Sequence, residues 1–131
     1  MNELFIGIDH PAIAVSDVEE LTNWYCNVLG YERHFHHEKS IWILRAPDGT
    51  LLEVMPQDDT HRPKRTVLTP GWSHTALRVR DIDQAIRYLD THDVTWLSET
   101  VAAIGGGKVR SFADPDGNVW QVVQREGRPG G

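Results

Sequence analysis

The sequence lacks the features that would place it in a membrane or in an oxidising compartment. It has a single cysteine, Cys26, so no disulfide can form within the chain. Its N-terminal residues do not combine a basic segment with a long apolar run, and no stretch is apolar for long enough to cross a bilayer. We therefore expect a cytoplasmic protein with no membrane partner.

Basic residues are also few. Lys and Arg number 13 against 19 Asp and Glu, which gives a formal net charge of -6 at neutral pH. Nucleic-acid binding draws on clustered Lys and Arg, and the one basic cluster here, residues 61–65, is short. We expect that cluster to be a solvated linker, and we expect no nucleic-acid partner.

The chain does contain an internal repeat. When the sequence is aligned with itself, the segment that begins at His10 matches the segment that begins at His74. At a slightly larger spacing, Glu53 matches Gln121. A chain of 131 residues amounts to one domain, so this repeat predicts two copies of one structural unit. The further aligned pairs are Ala12 and Ala76, Val15 and Val79, Asp17 and Asp81, and the turns Pro47-Asp48-Gly49 and Pro115-Asp116-Gly117.

Each copy reads as strand, helix, strand, strand, strand, which is an α+β pattern. In the first copy, alternation predicts a strand over residues 4–15, and Asp17 with Glu20 forms a capping-box pattern that begins a helix ending at Gly30. Asp81 begins the corresponding helix of the second copy. The other predicted strands are residues 31–37, 40–45, 51–55, 74–80, 94–98, 108–112 and 119–123.

These elements divide the chain as a single domain of two modules. The first module covers about residues 4–56 and the second about 72–124, with a linker over about 57–71. We expect the additional residues of the second module to lie in the loop around residues 102–107, and we expect the tail, residues 125–131, to be frayed.

Strand alternation brings four polar side chains to equivalent positions. In the first strand of each copy the histidine lies on the face opposite the helix, and in the last strand Glu53 and Gln121 point the same way. Polar groups in an apolar cavity need partners, and a divalent cation would serve two imidazoles, one carboxylate and one amide oxygen. The alternative is that His10 and His74 are ordinary strand residues bonded to backbone while Glu53 is solvated.

The two repeated motifs, His-x-Ala-x-x-Val-x-Asp and Pro-Asp-Gly-x-x-x-(Glu/Gln)-Val, resemble those of the vicinal oxygen chelate superfamily. This superfamily includes glyoxalase I, methylmalonyl-CoA epimerase, extradiol dioxygenases, fosfomycin-resistance transferases and bleomycin-binding proteins. The resemblance covers residues 4–124 and implies two βαβββ modules whose sheets curl around a central metal-binding cavity. It also implies a homodimer, with each site either within one chain or shared between two.

By motif position, the resemblance implies one divalent ion, which is zinc, nickel, cobalt, manganese or iron. Glutamate is usual at the position of Gln121, and oxygenases and fosfomycin transferases rely on that carboxylate. Members of the isomerase and lyase type accept glutamine among their ligands and fit better. The implied ligands are His10, Glu53, His74 and Gln121.

We expect a glyoxalase-like lyase or isomerase that moves a proton on a carbon next to a carbonyl, through a metal-stabilised enediolate or enolate. Glu53 is the only carboxylate of the four ligands, so it is the candidate base, the alternative being a permanent ligand. Two other functions stay open. One is a 2-His-1-carboxylate Fe(II) dioxygenase of the extradiol type, using His10, His74 and Glu53. The other is a non-catalytic resistance protein that binds a drug or metabolite.

Four further residues are candidates for contact with a small-molecule substrate. Arg78 shares a strand face with His74 and is suited to hold an anionic group, the alternative being a pairing with a neighbouring acid. Trp42, Met55 and Phe112 are candidates to line the cavity, the alternative being ordinary packing.

Overall fold

The computed structural model describes residues 3–38 and 40–130. Within these ranges the chain forms two helices and two β-sheets, without a closed barrel. It divides into two compact units, the first ending at His61 and the second beginning at Arg62. In the described ranges, neither helix has the length and apolar character required to cross a membrane.

The first unit follows the predicted order of strand, helix and three strands. Its sheet has the strand order β1-β4-β3-β2, with β1 parallel to β4 and the other neighbours antiparallel. The elements are β1 (Ala12–Val15), α1 (Val18–Leu29), β2 (Glu32–His37), β3 (Ile41–Arg45) and β4 (Leu51–Pro56).

Helix α1 begins and ends where the capping residues predict. The Asp17 side chain accepts a hydrogen bond from the Glu20 N–H at 2.9 Å. Gly30 adopts a left-handed conformation with φ 82° and donates its N–H to the Tyr25 carbonyl. The inner face of α1 packs on the alternate residues of β1 and β4, which form the core of this unit. The buried side chains are Val15, Leu21, Tyr25, Val28, Leu52 and Val54.

Strand β1 is shorter than the predicted residues 4–15. Residues 5–11 are not paired in a sheet, although they are apolar enough to favour a strand. Pro11 has no N–H to donate, and its carbonyl accepts the Glu53 N–H at 3.0 Å, so the pairing with β4 starts there. The apolar side chains before Pro11 are largely exposed: Leu4, Phe5, Ile6 and Ile8.

The second unit repeats the arrangement with one additional short strand. Its sheet has the order β5-β9-β8-β6, with β5 parallel to β9, and β7 pairs with β8. Asp81 caps α2 by accepting the Gln84 N–H at 3.1 Å. Strand β7 lies near the loop where additional residues were expected. The elements are β5 (His74–Arg78), α2 (Ile82–Asp90), β6 (Thr95–Trp96), β7 (Val101–Ala102), β8 (Lys108–Ala113) and β9 (Val119–Gln124).

Strand register confirms that the two units are copies of one structure. Ala12 pairs with Glu53 in the first sheet, and Ala76 pairs with Gln121 in the second. The two Pro-Asp-Gly turns are also closed alike, since each is bridged by a backbone hydrogen bond between the residues that flank it. These bonds run from the Ala46 N–H to the Thr50 carbonyl at 2.8 Å and from the Asp114 N–H to the Asn118 carbonyl at 3.0 Å.

The segment predicted as a solvated linker is partly bonded within the second unit. Arg62 donates to the Asn118 side chain at 3.0 Å. The Arg65 guanidinium donates to three carbonyls, those of Thr69, Pro70 and Trp72. Arg65 therefore organises the loop that leads into β5, and Arg62 joins the segment to the turn before β9. Composition alone does not reveal these contacts.

The tail was expected to fray, and two of its described residues, Arg125 and Gly130, form hydrogen bonds with a turn of the second unit. Arg125 donates to the carbonyls of Ile104 at 2.7 Å and Gly106 at 2.5 Å, and the Gly130 N–H donates to the Gly105 carbonyl at 3.0 Å. A polar, glycine-rich terminus resembles a frayed one in composition. These bonds go to the carbonyls of a turn distant in sequence.

Candidate metal centre

In the first unit, His10 and Glu53 meet as predicted. The Nε2 atom of His10 lies 2.8 Å from Oε2 of Glu53. Strand β4 lies beside β1, and the pairing of Ala12 with Glu53 sets the carboxylate next to the residues that enter β1. The side chains of His10 and Glu53 are 33% and 18% exposed, so the pair is partly accessible to a ligand.

Both ring nitrogens of His10 face a carboxylate, Nε2 that of Glu53 and Nδ1 that of Asp9. The Oδ2 atom of Asp9 lies 2.7 Å from Nδ1 of His10, and an ionised carboxylate can only accept, so Nδ1 is the donor. This contact raises the pKa of His10, partial burial opposes the increase, and the contact with Glu53 raises the pKa further. Nε2 faces Glu53 in the same way, so the doubly protonated ring satisfies both carboxylates, and Nε2 has to lose its proton before it can bind a metal ion. Metal-ligating histidines are commonly oriented by a carboxylate in this way.

In the second unit, His74 and Gln121 lie on one face of the sheet. His74 begins β5, and Ala76, two residues further on, pairs with Gln121 in β9. Residues two apart in a strand point to the same face. His74 is exposed and Gln121 is half-buried. The second unit therefore repeats, in register, the placement found for His10 and Glu53.

Ser73 determines the tautomer of His74. Its Oγ atom lies 2.8 Å from Nδ1 of His74 and donates to the Val67 carbonyl at 2.7 Å. A hydroxyl has one hydrogen, and this one is given to the carbonyl, so His74 must donate from Nδ1 to Ser73. Nε2 is therefore the atom of His74 that is available to a metal ion, whereas Nε2 of His10 faces Glu53.

Asp9 and Ser73 were not identified from the sequence as site residues. Each immediately precedes a candidate ligand, and the two occupy equivalent positions of the repeat, so the repeat itself contained the signal. Polar residues next to a histidine are common, and only the structure shows that both contact Nδ1.

Two of the residues predicted to contact a substrate share a strand face with a candidate ligand. Met55 is half-buried on the same strand face as Glu53, two residues further along β4. Arg78 shares the face of Gln121 and is exposed, and its guanidinium donates to the Arg125 carbonyl at 3.0 Å rather than to an acid. Arg78 stands at the opposite end of β5 from His74, which is about 13 Å along an extended strand.

The other two residues predicted to contact a substrate, Trp42 and Phe112, lie on the strand faces opposite those of the candidate ligands. Trp42 pairs with Val54, and its Nε1 donates to the Glu19 side chain of α1 at 2.9 Å, which places it on the helix-covered face. Phe112 pairs with Trp120 and is fully buried. Both side chains are therefore directed away from the faces of the candidate ligands, which corrects the prediction that they line a substrate cavity.

The register between neighbouring strands explains this error. A shift of one residue moves every side chain of a strand to the opposite face, and alternation alone does not set the register between two strands. The residues paired with the candidate ligands are Ile43, opposite Glu53, and Ser111, opposite Gln121. Ile43 follows Trp42 in the sequence, and Ser111 precedes Phe112. Each predicted cavity residue is therefore one position away from the residue that faces a candidate ligand.

The first unit brings His10 and Glu53 into contact, and the second places His74 and Gln121 on one face of its sheet. Within residues 3–38 and 40–130, no group of three or more His, Cys, Asp or Glu side chains is placed to hold a metal ion. A cavity of about 500 Å³ in the first unit is lined by Gly30, Glu32, Arg45 and the turn at residues 46–49. None of its lining residues is a candidate ligand, so we do not assign the site to this cavity.

Comparison with known proteins places the chain in a family. The family model of the Glyoxalase/Bleomycin resistance protein/Dioxygenase superfamily matches residues 7–122, which include both copies of the repeat. The chain belongs to this superfamily. The resemblance carried by the paired motifs is thereby confirmed.

The chain is also similar to individual proteins. The uncharacterized protein YaeR of Escherichia coli (strain K12) is 26% identical over 119 residues, covering 84% of this chain and 89% of YaeR. A superfamily member from Sphaerobacter thermophilus DSM 20745 is 27% identical, with a TM-score of 0.73 over 92% of this chain and 98% of that chain. The fosfomycin resistance protein FosX from Listeria monocytogenes, complexed with Mn(II) and sulfate, is 15% identical, with a TM-score of 0.71 over 92% and 91% of the two chains. The likeness to FosX shows the fold alone.

Proposed function

We propose that this protein is a metal-dependent lyase or isomerase of the glyoxalase type, which transfers a proton at a carbon next to a carbonyl. In this proposal one divalent ion is bound by His10, Glu53, His74 and Gln121. The observation that carries it is the 2.8 Å contact between His10 Nε2 and Glu53 Oε2, with Nδ1 of the same ring bonded to Asp9. The equivalent register of Gln121 in the second unit supports the inclusion of the other pair.

The chemistry of the four donors fits a divalent cation. Two neutral imidazoles, one carboxylate and one amide oxygen form a mixed nitrogen and oxygen set, which suits zinc, nickel, cobalt, manganese or iron. With one carboxylate, the formal charge of the site is one unit more positive than with two. When bound, the ion supplies Lewis-acid polarisation of a substrate oxygen.

Glu53 is the residue that we propose accepts the proton. It is the only carboxylate of the four, and its side chain is 18% exposed, so it is shielded from water but accessible to a small molecule. Its neighbours on the same face, Ala12, Ile43 and Met55, are small or apolar. Of these four residues, Glu53 alone can accept a proton.

We propose that Arg78 and Met55 contact the substrate. Arg78 uses one of its donors for the Arg125 carbonyl, and a guanidinium has five N–H groups, so it can also hold an anionic group. Met55 offers a flexible apolar surface next to Glu53. The substrate class that fits is a small carbonyl compound with an anionic substituent.

Proton exchange in heavy water tests this function directly. The full chain, loaded with one divalent metal at a time, is incubated in D2O with small carbonyl compounds that have an acidic neighbouring C–H, and exchange is followed by NMR. We expect deuterium to enter that carbon and the rate to fall by at least about 100-fold in Glu53→Gln. Oxygen consumption with a catechol would instead indicate the Fe(II) dioxygenase. Ligand binding without metal dependence would indicate a resistance protein.

We also propose that the protein is a homodimer in solution. Large apolar side chains are exposed in the segments that precede β1 and β5, and exposed apolar patches commonly mark interaction surfaces. Light scattering after gel filtration measures the mass, and a monomer at micromolar concentration would refute this proposal. The most exposed of these side chains are Ile6, Leu68 and Trp72.

A further inference from the structure

The amide of Gln121 presents a problem that the carboxylate of Glu53 does not. A carboxylate has two equivalent oxygen atoms, so either can face a cation. An amide has one oxygen and one NH2 group, and only the oxygen can bind a cation. A glutamine ligand therefore has to be held in one of two orientations, whereas a glutamate does not.

Ser111 contacts the amide group of Gln121. The two residues are paired between β8 and β9, and Nε2 of Gln121 donates to Oγ of Ser111 at 3.0 Å. We infer that Ser111 is a positioning residue, which binds the amide nitrogen and leaves Oε1 directed to the ion. This inference rests on the proposed metal-binding function and adds a residue outside the four ligands.

Ser111 is itself held in place by the backbone and by a second serine. The residue is buried, with 6% of its surface exposed. Its N–H donates to Oγ of Ser98 at 3.0 Å, and its carbonyl accepts the Leu97 N–H at 2.8 Å. The hydroxyl group that meets Gln121 is therefore carried on a constrained strand.

The first unit provides an internal comparison. Ile43 occupies the position of Ser111, because the alignment that matches Glu53 with Gln121 also matches these two residues, and because Ile43 pairs with Glu53. An isoleucine side chain cannot form a hydrogen bond. In the second unit, the hydroxyl of Ser111 thus lies beside the Gln121 amide. In the first unit, the apolar Ile43 lies beside the Glu53 carboxylate.

The positioning role of Ser111 is tested by measuring metal affinity in the parent protein and in the Gln121→Glu variant. Cobalt(II) binding to the full chain is measured by its visible absorption in the parent protein, Ser111→Ala, Ser111→Thr, Gln121→Glu and Ser111→Ala with Gln121→Glu. We expect Ser111→Ala to weaken binding by about 10- to 100-fold and Ser111→Thr to restore most of the affinity. In the Gln121→Glu background, Ser111→Ala should have little effect, because the carboxylate needs no orienting partner. An equal loss in both backgrounds would overturn the inference, since it would indicate a structural effect alone.

NMR of the metal-free chain separates this inference from the proposed function. In the parent protein we expect a nuclear Overhauser effect between the Gln121 side-chain NH2 and the Ser111 β protons, and this contact should disappear in Gln121→Glu. Its absence from the parent would refute the orientation. A contact in a parent that binds no cobalt would refute the metal site and retain the orientation. Tight cobalt binding that is unchanged in Ser111→Ala would refute the positioning role and retain the metal site.

Discussion

His10 and Glu53 meet through Nε2 and Oε2 at 2.8 Å, although one precedes the first strand and the other lies in the fourth. The parallel pairing of β1 with β4 brings them together, and the same pairing of β5 with β9 places His74 and Gln121 on one face. The two copies of the repeat thus share the placement of a donor pair, with a carboxylate in one copy and an amide in the other.

The orienting contacts of the histidines lead to the first prediction. Ser73→Ala removes the acceptor for Nδ1 of His74 and allows the ring to change tautomer or rotate. We expect metal affinity to fall by about 10- to 100-fold, measured by competition with a chromogenic chelator. Ser98→Ala is not a suitable control because Ser98 supports Ser111, so Ser40→Ala, in the exposed approach to β3, serves instead. Equal affinities for Ser73→Ala and Ser40→Ala would contradict the role of Ser73.

Charge at the proposed site gives a second prediction. Gln121→Glu adds a negative charge next to a cation, so we expect tighter binding, by about tenfold, which corresponds to about 1.4 kcal/mol. The same change should slow proton exchange at the substrate carbon, because the ion becomes less electrophilic. Isothermal titration calorimetry and the exchange assay measure the two effects on the same samples. Weaker metal binding in Gln121→Glu would argue against Gln121 as a ligand.

Metal removal gives a third prediction, on stability. A ligand that binds only the folded state at about 100 times its Kd stabilises that state by about 2.7 kcal/mol. For a domain of this size we expect a rise in Tm of roughly 10 °C with metal, reversed by a chelator. Thermal unfolding followed by circular dichroism provides the measurement. A Tm that is the same with metal and with chelator would contradict metal binding by the folded chain.

The corrected position of Phe112 gives a fourth prediction. Because Phe112 is fully buried and paired with Trp120, Phe112→Ala should lower the free energy of unfolding by about 3–5 kcal/mol. Urea unfolding measures this change. The milder Phe112→Leu should retain the KM of any substrate found, whereas Met55→Ala should raise it. A selective increase in KM for Phe112→Leu would restore the earlier assignment of Phe112 to the substrate cavity.

Helix ends, the repeat and the buried faces of β4 and β9 could be predicted from the sequence because each depends on residues close together in the chain. Asp17 and Asp81 cap their helices within one turn, and the alternation around Val54 and Trp120 distinguishes buried from polar positions. The family could be predicted because the two motifs occur twice.

The features that could not be predicted depend on partners distant in sequence. The face occupied by Trp42 follows from its pairing with Val54, and β1 starts late because its pairing with β4 begins at Pro11. Arg125 donates to carbonyls of a turn about 20 residues earlier, which composition does not mark as its partner. The contacts of Asp9 and Ser73 with Nδ1 of the two histidines could likewise be recognised only from the folded chain.

The proposal that His10 belongs to a metal site is tested most directly by the metal content of the purified full chain. The parent protein, His10→Ala and His61→Ala are dialysed against the same divalent ion without chelator and analysed by mass spectrometry of the metal. His61 is exposed at the end of the first unit and is the matched control for loss of one imidazole. We expect one ion per chain in the parent protein and in His61→Ala, and little metal in His10→Ala. Full occupancy in His10→Ala would contradict the proposal.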